Sequence, residues 1–457
     1  MTDIPRSTAW AILNSFEKNP VRLDTLVSNK CRKSGLEGRD KAFVAEICYG
    51  VLRFKRALDS LVDLGVSRPG TKIKPLVRTT LRMGLYQALA MPEARHAAVN
   101  ESVNLAKGNV KTAHAAGFVN AALRSVLGKL NSANLPEGLP ISLIAERFLT
   151  DKRQSPAERL GTIYSFPNWL VERWLANFGQ HEVERILESC QTKAPVYLRF
   201  NEDVYASTKA VDLLRTEGVY ASPVGFVKGL LRVDQGSLPP ESPLIQVGVV
   251  QPQDAASYLA TLLLDVSQGD SVADVCCGKG IKTGVFARKA GHVACFDINP
   301  QGLITLNNKA LAGGVGNVEA IQADMASPWP SRTLFDRIFI DAPCSATGLV
   351  RRRPESKWIK NEDLIYNLSG IQKSMLEQAL GHLKPGGRLV YAVCSVEREE
   401  GSNIINSALG LNKDFRRVPV SSIIPELIDY QTDEGDMLIL PGRDDMDGFF
   451  AAALERK

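Results

Sequence analysis

The chain has 457 residues, of which 44% are hydrophobic and 23% charged, with a formal net charge of +5 and eight cysteines. That length predicts two to four domains at roughly 150 residues each, and the near-average composition excludes global disorder, a coiled-coil rod and a membrane bundle. No apolar run approaches the ~18 residues of a membrane-spanning helix. The opening Met-Thr-Asp-Ile-Pro-Arg-Ser-Thr lacks the apolar core of a secretory signal, so the expected location is cytoplasmic, with no membrane partner. No cysteine pair has C-x-x-C spacing. Reduced thiols are expected rather than a disulfide scaffold or a zinc ribbon, and no metal is expected.

The net charge hides an asymmetry. Residues 1–130 carry 21 Lys/Arg against 10 Asp/Glu, so the remainder is mildly acidic. A basic N-terminal third suggests contact with a polyanion, through clusters such as Lys30-Cys31-Arg32-Lys33 and Arg53-Phe54-Lys55-Arg56.

In chain order, residues 1–135 read as a helical bundle. Val44, Ile47, Cys48 and Val51 follow i, i+3, i+4, i+7 spacing, and so do Val119, Ala122, Leu123 and Val126. Leu81, Leu85, Ala88 and Leu89 form a third apolar stripe, and His96, ahead of an apolar helix, reads as structural. Residues 136–160 hold turn formers and a charged stretch and read as a linker. Residues 161–245 predict a small α+β module, helical to about Cys190 and then a strand over Pro195–Phe200. From 246 to 457, apolar strands alternate with helical stretches, the pattern of a parallel sheet covered by helices in a Rossmann-like α/β domain.

Within that last part the strand Ser271–Cys277 runs into the turn Gly278-Lys279-Gly280 and a helix opening at Lys282. A Gly-x-Gly turn between strand and helix lets a nucleotide-like ligand approach the backbone. The next strand ends at Asp297, 17 residues after Gly280, where a carboxylate can hold a ribose diol; a third ends at Asp324, near where an adenine would lie. A nicotinamide dinucleotide would set a pyrophosphate on the turn. Asp274 and Asp341, at neighbouring strand ends, suit the ammonium and sulfonium of S-adenosyl-L-methionine better. Two cysteines fall at the carboxyl ends of further strands, where open α/β sheets do their chemistry: Cys344 after Phe335–Asp341, and Cys394 at the end of Gly387–Val393. The other six cysteines read as small buried hydrophobes.

Three blocks, Leu81-Arg82-Met83-Gly84-Leu85-Tyr86-Gln87, His96–Val103 and Gly117-Phe118-Val119-Asn120-Ala121, resemble the NusB family of RNA-binding antitermination factors. Asp341-Ala342-Pro343-Cys344-Ser345-Ala346-Thr347-Gly348, Arg351–Trp358, Gln251–Ser257, Tyr391-Ala392-Val393-Cys394-Ser395-Val396 and Asp447-Gly448-Phe449-Phe450 resemble the RNA cytosine-C5 methyltransferases. The order of the two parts is similar to the Sun or Fmu family, which acts on small-subunit ribosomal RNA. The resemblance implies a multidomain chain: an all-α NusB-like bundle, a small α+β module and a methyltransferase domain. It implies Cys394 as nucleophile toward C6 of cytosine, with Cys344 assisting proton removal or release. It also implies Asp341 and Lys282 at the reacting centre, and cofactor contacts from Cys276, Cys277, Gly278, Lys279, Gly280, Ile281, Lys282, Asp297, Asp324 and Asp341. Arg351, Arg352, Arg353, Lys357 and Arg199 are the residues expected to meet RNA. The expected protein is a monomer acting on ribosomal RNA; transfer RNA as substrate, or a non-catalytic RNA-binding assembly factor, are the alternatives. The turn departs from the family's Ala-Ala-Pro-Gly-Gly-Lys, reading Cys277-Gly278-Lys279-Gly280-Ile281-Lys282, and Gly401 stands where relatives carry Asn.

Overall fold

The computed structural model describes residues 3–457 except 69, 92–94, 134, 135, 137 and 152, and except the side chains of 95 and 96. The expectation for His96 therefore lies outside the described residues. The chain packs as two units, one of residues 1–192 with 352–360, the other of 193–351 with 361–457. Among the described residues no helix is long and apolar enough to cross a membrane.

The first unit is helical, from Ile4–Lys18 to Gln180–Ser189. The apolar stripes are its core: Val44, Ile47, Cys48, Val51, Leu81, Leu85, Val119, Leu123 and Val126 are buried together. Polar ends are stopped locally. Asp3 accepts from the Arg6 backbone N–H ahead of the first helix, and Ser155 with Glu158 forms a capping box on Pro156–Ile163. Gly50 is obligatory for packing, since a Cβ there would fall 1.9 Å from the Tyr86 ring. The helices Asn168–Phe178 and Gln180–Ser189 pack with the first unit. One feature differs from expectation. The Arg53–Arg56 cluster is internal rather than phosphate-facing. Arg53 is buried, Lys55 lies 3.8 Å from Glu17 and 3.7 Å from Asp59, and Arg56 donates to the Phe166 carbonyl (2.8 Å) and Asn168 Oδ1 (2.5 Å).

The segment 352–360 belongs to this helical unit although it follows the Cys344 loop in sequence. Lys357 is 2% exposed, donates to the Arg53 carbonyl at 2.9 Å, and sits 4.0 Å from the Phe166 ring centroid. Trp358 Nε1 donates to the Leu52 carbonyl at 2.7 Å. These two donors satisfy orphan carbonyls at the end of helix Gly38–Arg53, where the helix dipole also favours a cation. Lys357 is thus removed from the RNA-facing set, because its ammonium is spent inside the bundle.

The second unit holds two sheets. The smaller is fully antiparallel, with β1 (Tyr197–Phe200), β2 (Tyr220–Pro223), β3 (Leu230–Gln235) and β4 (Val250–Pro252) in the order β2-β3-β1-β4. The larger has β5 (Ser271–Val275), β6 (His292–Asp297), β7 (Val318–Gln322), β8 (Phe335–Asp341), β9 (Leu383–Val393), β10 (Phe415–Val418), β11 (Met437–Ile439) and β12 (Phe449–Arg456). Its order is β10-β12-β9-β8-β5-β6-β7, with β11 paired to β12. The five strands β5 to β9 are parallel to their neighbours, and β12 runs antiparallel to β9. Val272, Ala273, Ile338, Phe339, Val390 and Tyr391 are fully buried, as strands covered on both faces require.

Candidate active site

Because β5, β6, β7, β8 and β9 are parallel, their carboxyl ends share one edge, and every strand-end residue singled out above falls there. Asp341 pairs with Ala392 across β8 and β9, and the Ala342 N–H continues the ladder to the Ala392 carbonyl at 3.0 Å. This register brings the loops that follow the two strands side by side. Cys344 Sγ and Cys394 Sγ are 3.3 Å apart.

The Cys344 loop is held in a tight shape. Ala346 adopts φ +54°, a left-handed conformation that costs a non-glycine residue energy. The Gly348 N–H donates to the Cys394 carbonyl at 3.2 Å, and the Gly448 N–H to the Gly348 carbonyl at 2.9 Å. A Cβ on Gly348 would lie 2.1 Å from the Gly448 carbonyl oxygen. The Asp447-Gly448-Phe449-Phe450 motif therefore serves this loop: two glycine backbones touch where any side chain would push them apart. At Gly401 a Cβ would sit 3.0 Å from the Phe450 ring, so the Asn of relatives could enter only if that ring moved.

Beside the sulfurs, Lys282 Nζ donates to Asp341 Oδ2 at 2.6 Å. Burial works against the Lys282 charge, yet the attraction of Asp341, with smaller help from Cys394 and Asp274, outweighs it and raises the pKa. The Cys344 thiol is pushed well up, first by its hydrogen bond to Cys394 and then by burial, with the Glu400 charge adding to the effect. All three influences favour the protonated form of Cys344.

The turn after β5 is an unusual one. Cys276, Gly278 and Gly280 all have positive φ (+62°, +57° and +74°). The Gly278 N–H donates to Asp297 Oδ2 at 2.8 Å, and Asp297 Oδ1 accepts from Asn299 N at 2.7 Å, which ties the turn to the end of β6. Gly280 is required for space as well as conformation, since a Cβ would lie 2.8 Å from Leu306; at Gly278 a Cβ would meet nothing within 4 Å, so the turn is open there. The Cys276 thiol is raised by burial and by the carboxylates of Asp341, Asp297 and Asp274, and stays protonated. Asp324 is exposed at the end of β7, its carboxylate accepting from Ala326 N at 3.0 Å. The open backbone at Gly278, with Asp297 bonded to it and Asp324 and Asp341 at strand ends on the same sheet edge, fits a ribose diol and a positively charged ligand and disfavours a pyrophosphate.

Three expected residues have other duties. Asp274 is fully buried, accepts from Thr283 Oγ1 at 2.5 Å, and is raised to about 7 by desolvation. It anchors the turn from inside and does not reach a ligand ammonium. Arg199 is 5% exposed and donates to Gln253 Oε1 (2.9 Å) and the Ile281 carbonyl (3.1 Å), bracing the turn against β1 instead of standing free on the surface. Arg351 is buried, paired with Asp445 at 3.0 Å and donating to the Lys193 carbonyl at 3.1 Å. Sequence reasoning missed Thr283 and Gln253. The first follows Lys282 directly; the second lies in the Gln251–Ser257 motif, which could have drawn attention to it.

A glycine turn after a central parallel strand, carboxylates at the next strand ends and this strand order define a methyltransferase of the S-adenosyl-L-methionine-dependent kind. Residues 261–455 match the model of the 16S rRNA methyltransferase RsmB/F family, residues 3–128 the NusB family, and residues 166–237 the ferredoxin-like domain of RsmF/B-like methyltransferases. The ribosomal RNA small subunit methyltransferase B of Escherichia coli O6:K15:H31 is 31% identical over 422 residues, covering 92% of this chain and 91% of that one. The probable ribosomal RNA small subunit methyltransferase B of Bacillus subtilis is 28% identical, covering 99% and 98%. The crystal structure of PH0851 superposes with a TM-score of 0.77 at 22% identity over 99% of this chain and 98% of that one. That of NSun6 from Pyrococcus horikoshii with SFG gives 0.56 at 18% identity over 64% and 99%. The chain belongs to the RsmB/F methyltransferase family. It is an S-adenosyl-L-methionine-dependent ribosomal RNA methyltransferase.

Proposed function

We propose that the protein methylates cytosine in small-subunit ribosomal RNA, in the cytoplasm, through a transient bond between Cys394 and C6 of the target ring. The observation that supports this most is the pair of sulfurs 3.3 Å apart beside the Lys282–Asp341 ion pair at the ligand edge of the sheet. C5 of cytosine is too weak a nucleophile to take a methyl group unaided. The Cys394 thiolate adds to C6 and drives the ring's electron pair toward C5. Lys282 stabilises that thiolate by charge, and Asp341 accepts from the 4-amino group, which uracil lacks. When bound, S-adenosyl-L-methionine supplies a methyl group on a positively charged sulfur; Cys276 to Lys282, Asp297 and Asp324 hold it.

Cys344 completes the cycle. Its S–H faces the Cys394 sulfur before attack. Once that sulfur is bound to carbon it is a poorer acceptor, so Cys344 can release its proton to solvent and then take the one from C5, which makes the released proton the net proton product of the cycle. Protonated again, it donates to the departing Cys394 thiolate as the C6–S bond breaks, and the enzyme is released.

RNA contacts follow from what is left accessible. Arg352 and Arg353 are half-exposed and are assigned to RNA phosphates. A cleft of about 470 Å³ in the second unit presents Lys279, Arg288 and Lys309, with no carboxylate among its lining residues, and suits a further phosphate of the same strand. Lys309→Glu is expected to weaken RNA binding in a filter or fluorescence titration while the affinity for the methyl donor stays as it was; equal loss of both would place the cleft with the donor site.

The roles of the two sulfurs are separated by incubating Cys394→Ala and Cys344→Ala with RNA and the methyl donor. Cys394→Ala should be inactive and form no adduct. Cys344→Ala should accumulate a protein–RNA complex that survives denaturation, because its release step is impaired. An adduct that needs Cys344 and not Cys394 would reverse the assignment.

A further inference from the structure

Behind the two reactive loops lies a carboxylate with no part in the scheme above. Glu400 is fully buried. It accepts from the Ser345 N–H at 2.7 Å and from the Ser345 hydroxyl, from the Ser395 hydroxyl at 2.5 Å, and from Gln372 Nε2 at 3.1 Å. Ser345 is the residue after Cys344, and Ser395 the residue after Cys394. The same Gln372 amide nitrogen donates to the Pro343 carbonyl, just before Cys344, at 2.7 Å. The Tyr391 hydroxyl fixes the Glu400 backbone to β9 through its carbonyl, at 2.7 Å. Thr347 Oγ1 lies 3.1 Å from Ser395 Oγ, and the two serine oxygens are 3.3 Å apart.

A buried carboxylate surrounded by neutral donors is costly to desolvate, and an apolar or amide side chain of similar volume would fill the same space. What a carboxylate alone provides is acceptance without donation. Two oxygens with several lone pairs force both serine hydroxyls to point inward at once, one from each loop. The loops follow different strands, and among the described side chains Glu400 is bonded to the residue next to each sulfur.

We propose that Glu400 is a positioning residue that holds Cys344 and Cys394 in register by binding the serine that follows each of them. The idea rests on those two sulfurs being the reactive pair. Its charge has a second consequence: by opposing ionisation of Cys344 it helps keep that thiol protonated while Cys394 serves as the nucleophile.

The register can be tested without RNA. Diamide oxidises two adjacent thiols to a disulfide, the azo compound taking up both protons and both electrons to become a hydrazine. In the native protein, with the sulfurs already in van der Waals contact, the Cys344–Cys394 bond should form rapidly. In Glu400→Gln, whose NH2 would take the place of Oε2 and so remove the acceptor of both serine hydroxyls, its rate should fall at least about tenfold, and single-turnover adduct formation with RNA about 100-fold, the loss expected for a displacement of ~1 Å, while affinity for the methyl donor is unchanged. Ser395→Ala should reproduce the effect in part and Ser395→Thr should restore it, which covers the case in which Glu400→Gln fails to fold. Alkylation of Cys344 by iodoacetamide should also shift to lower pH in Glu400→Gln. An unchanged disulfide rate in Glu400→Gln and Ser395→Ala alike overturns the proposal. Slow disulfide formation together with normal methyl transfer would keep the positioning role and overturn the catalytic reading of the sulfurs.

Discussion

Two lysines, one buried in the helical unit and one largely shielded at the sheet edge, show how the same side chain comes to opposite ends. Lys357, in the helical unit, meets the Arg53 carbonyl and the faces of Phe166 and Trp358, and the Arg53 charge opposes its own. Burial pushes its pKa well below the ordinary lysine value. Lys282, at the sheet edge, also loses solvent, but Asp341 at 2.6 Å more than compensates, and its pKa rises. The first lysine closes a helix end. The second carries a charge that a reactive sulfur can use. Burial alone does not distinguish structure from function; what does is whether a carboxylate and a nucleophile share the pocket.

The widest separation between the two sites should appear in activity. Lys282→Met removes the cation beside Cys394 and leaves Asp341 without its partner, and kcat for methyl transfer is expected to fall roughly 100- to 1,000-fold, as when a charge stabiliser is lost from an active site. Lys357→Met should leave methyl transfer by the folded protein unchanged. Equal losses in both variants would break the contrast. A smaller, purely steric effect is expected at the edge loop: Gly348→Ala forces the Gly348 and Gly448 backbones apart and should cost about 1–3 kcal/mol in chemical denaturation of the second unit, with slower adduct formation.

The smallest effect is in the pH dependence of stability, where the two lysines should differ in sign. Lys357 binds its proton less readily in the folded state. Between its depressed pKa and the ordinary 10.5 the unfolded chain holds the extra proton, so its contribution to stability rises with pH. Lys282 is raised in the folded state, so its contribution is full below 10.5 and is lost as the pH climbs through the raised value. Denaturant titrations of each Lys→Met variant against the parent, from neutral pH to pH ~11, should give differences that slope in opposite directions. Parallel slopes would contradict the assignment of partners.

The sequence made the reactive edge legible because strand-end chemistry is local. Asp341 and Cys344 share one strand and its loop, Cys394 ends the next, and a parallel register suffices to bring them together. The helical stripes were legible for the same reason: Val44, Ile47, Cys48 and Val51 recur at 3.6-residue spacing and are buried together. What could not be read was which polar groups wait at a distance. Lys357 looked like part of a basic loop because its acceptor, the Arg53 carbonyl, lies 304 positions earlier in the chain. Arg199 resembled a surface grip for RNA, but its partners are Gln253 and the Ile281 carbonyl, which only the folded sheets bring near. Asp274 followed the pattern of a ligand-facing acid, and Thr283, nine residues on, turns it inward.

The central claim is a carbon–sulfur bond at one cysteine. RNA carrying 5-fluorocytosine at the target position cannot surrender a proton from C5, so the adduct should persist after addition of S-adenosyl-L-methionine. Proteolysis and mass spectrometry of that complex should find the nucleotide on the peptide bearing Cys394, with Cys344 unmodified. A nucleotide on Cys344, or no covalent complex under conditions in which unmodified RNA is methylated, would contradict the account.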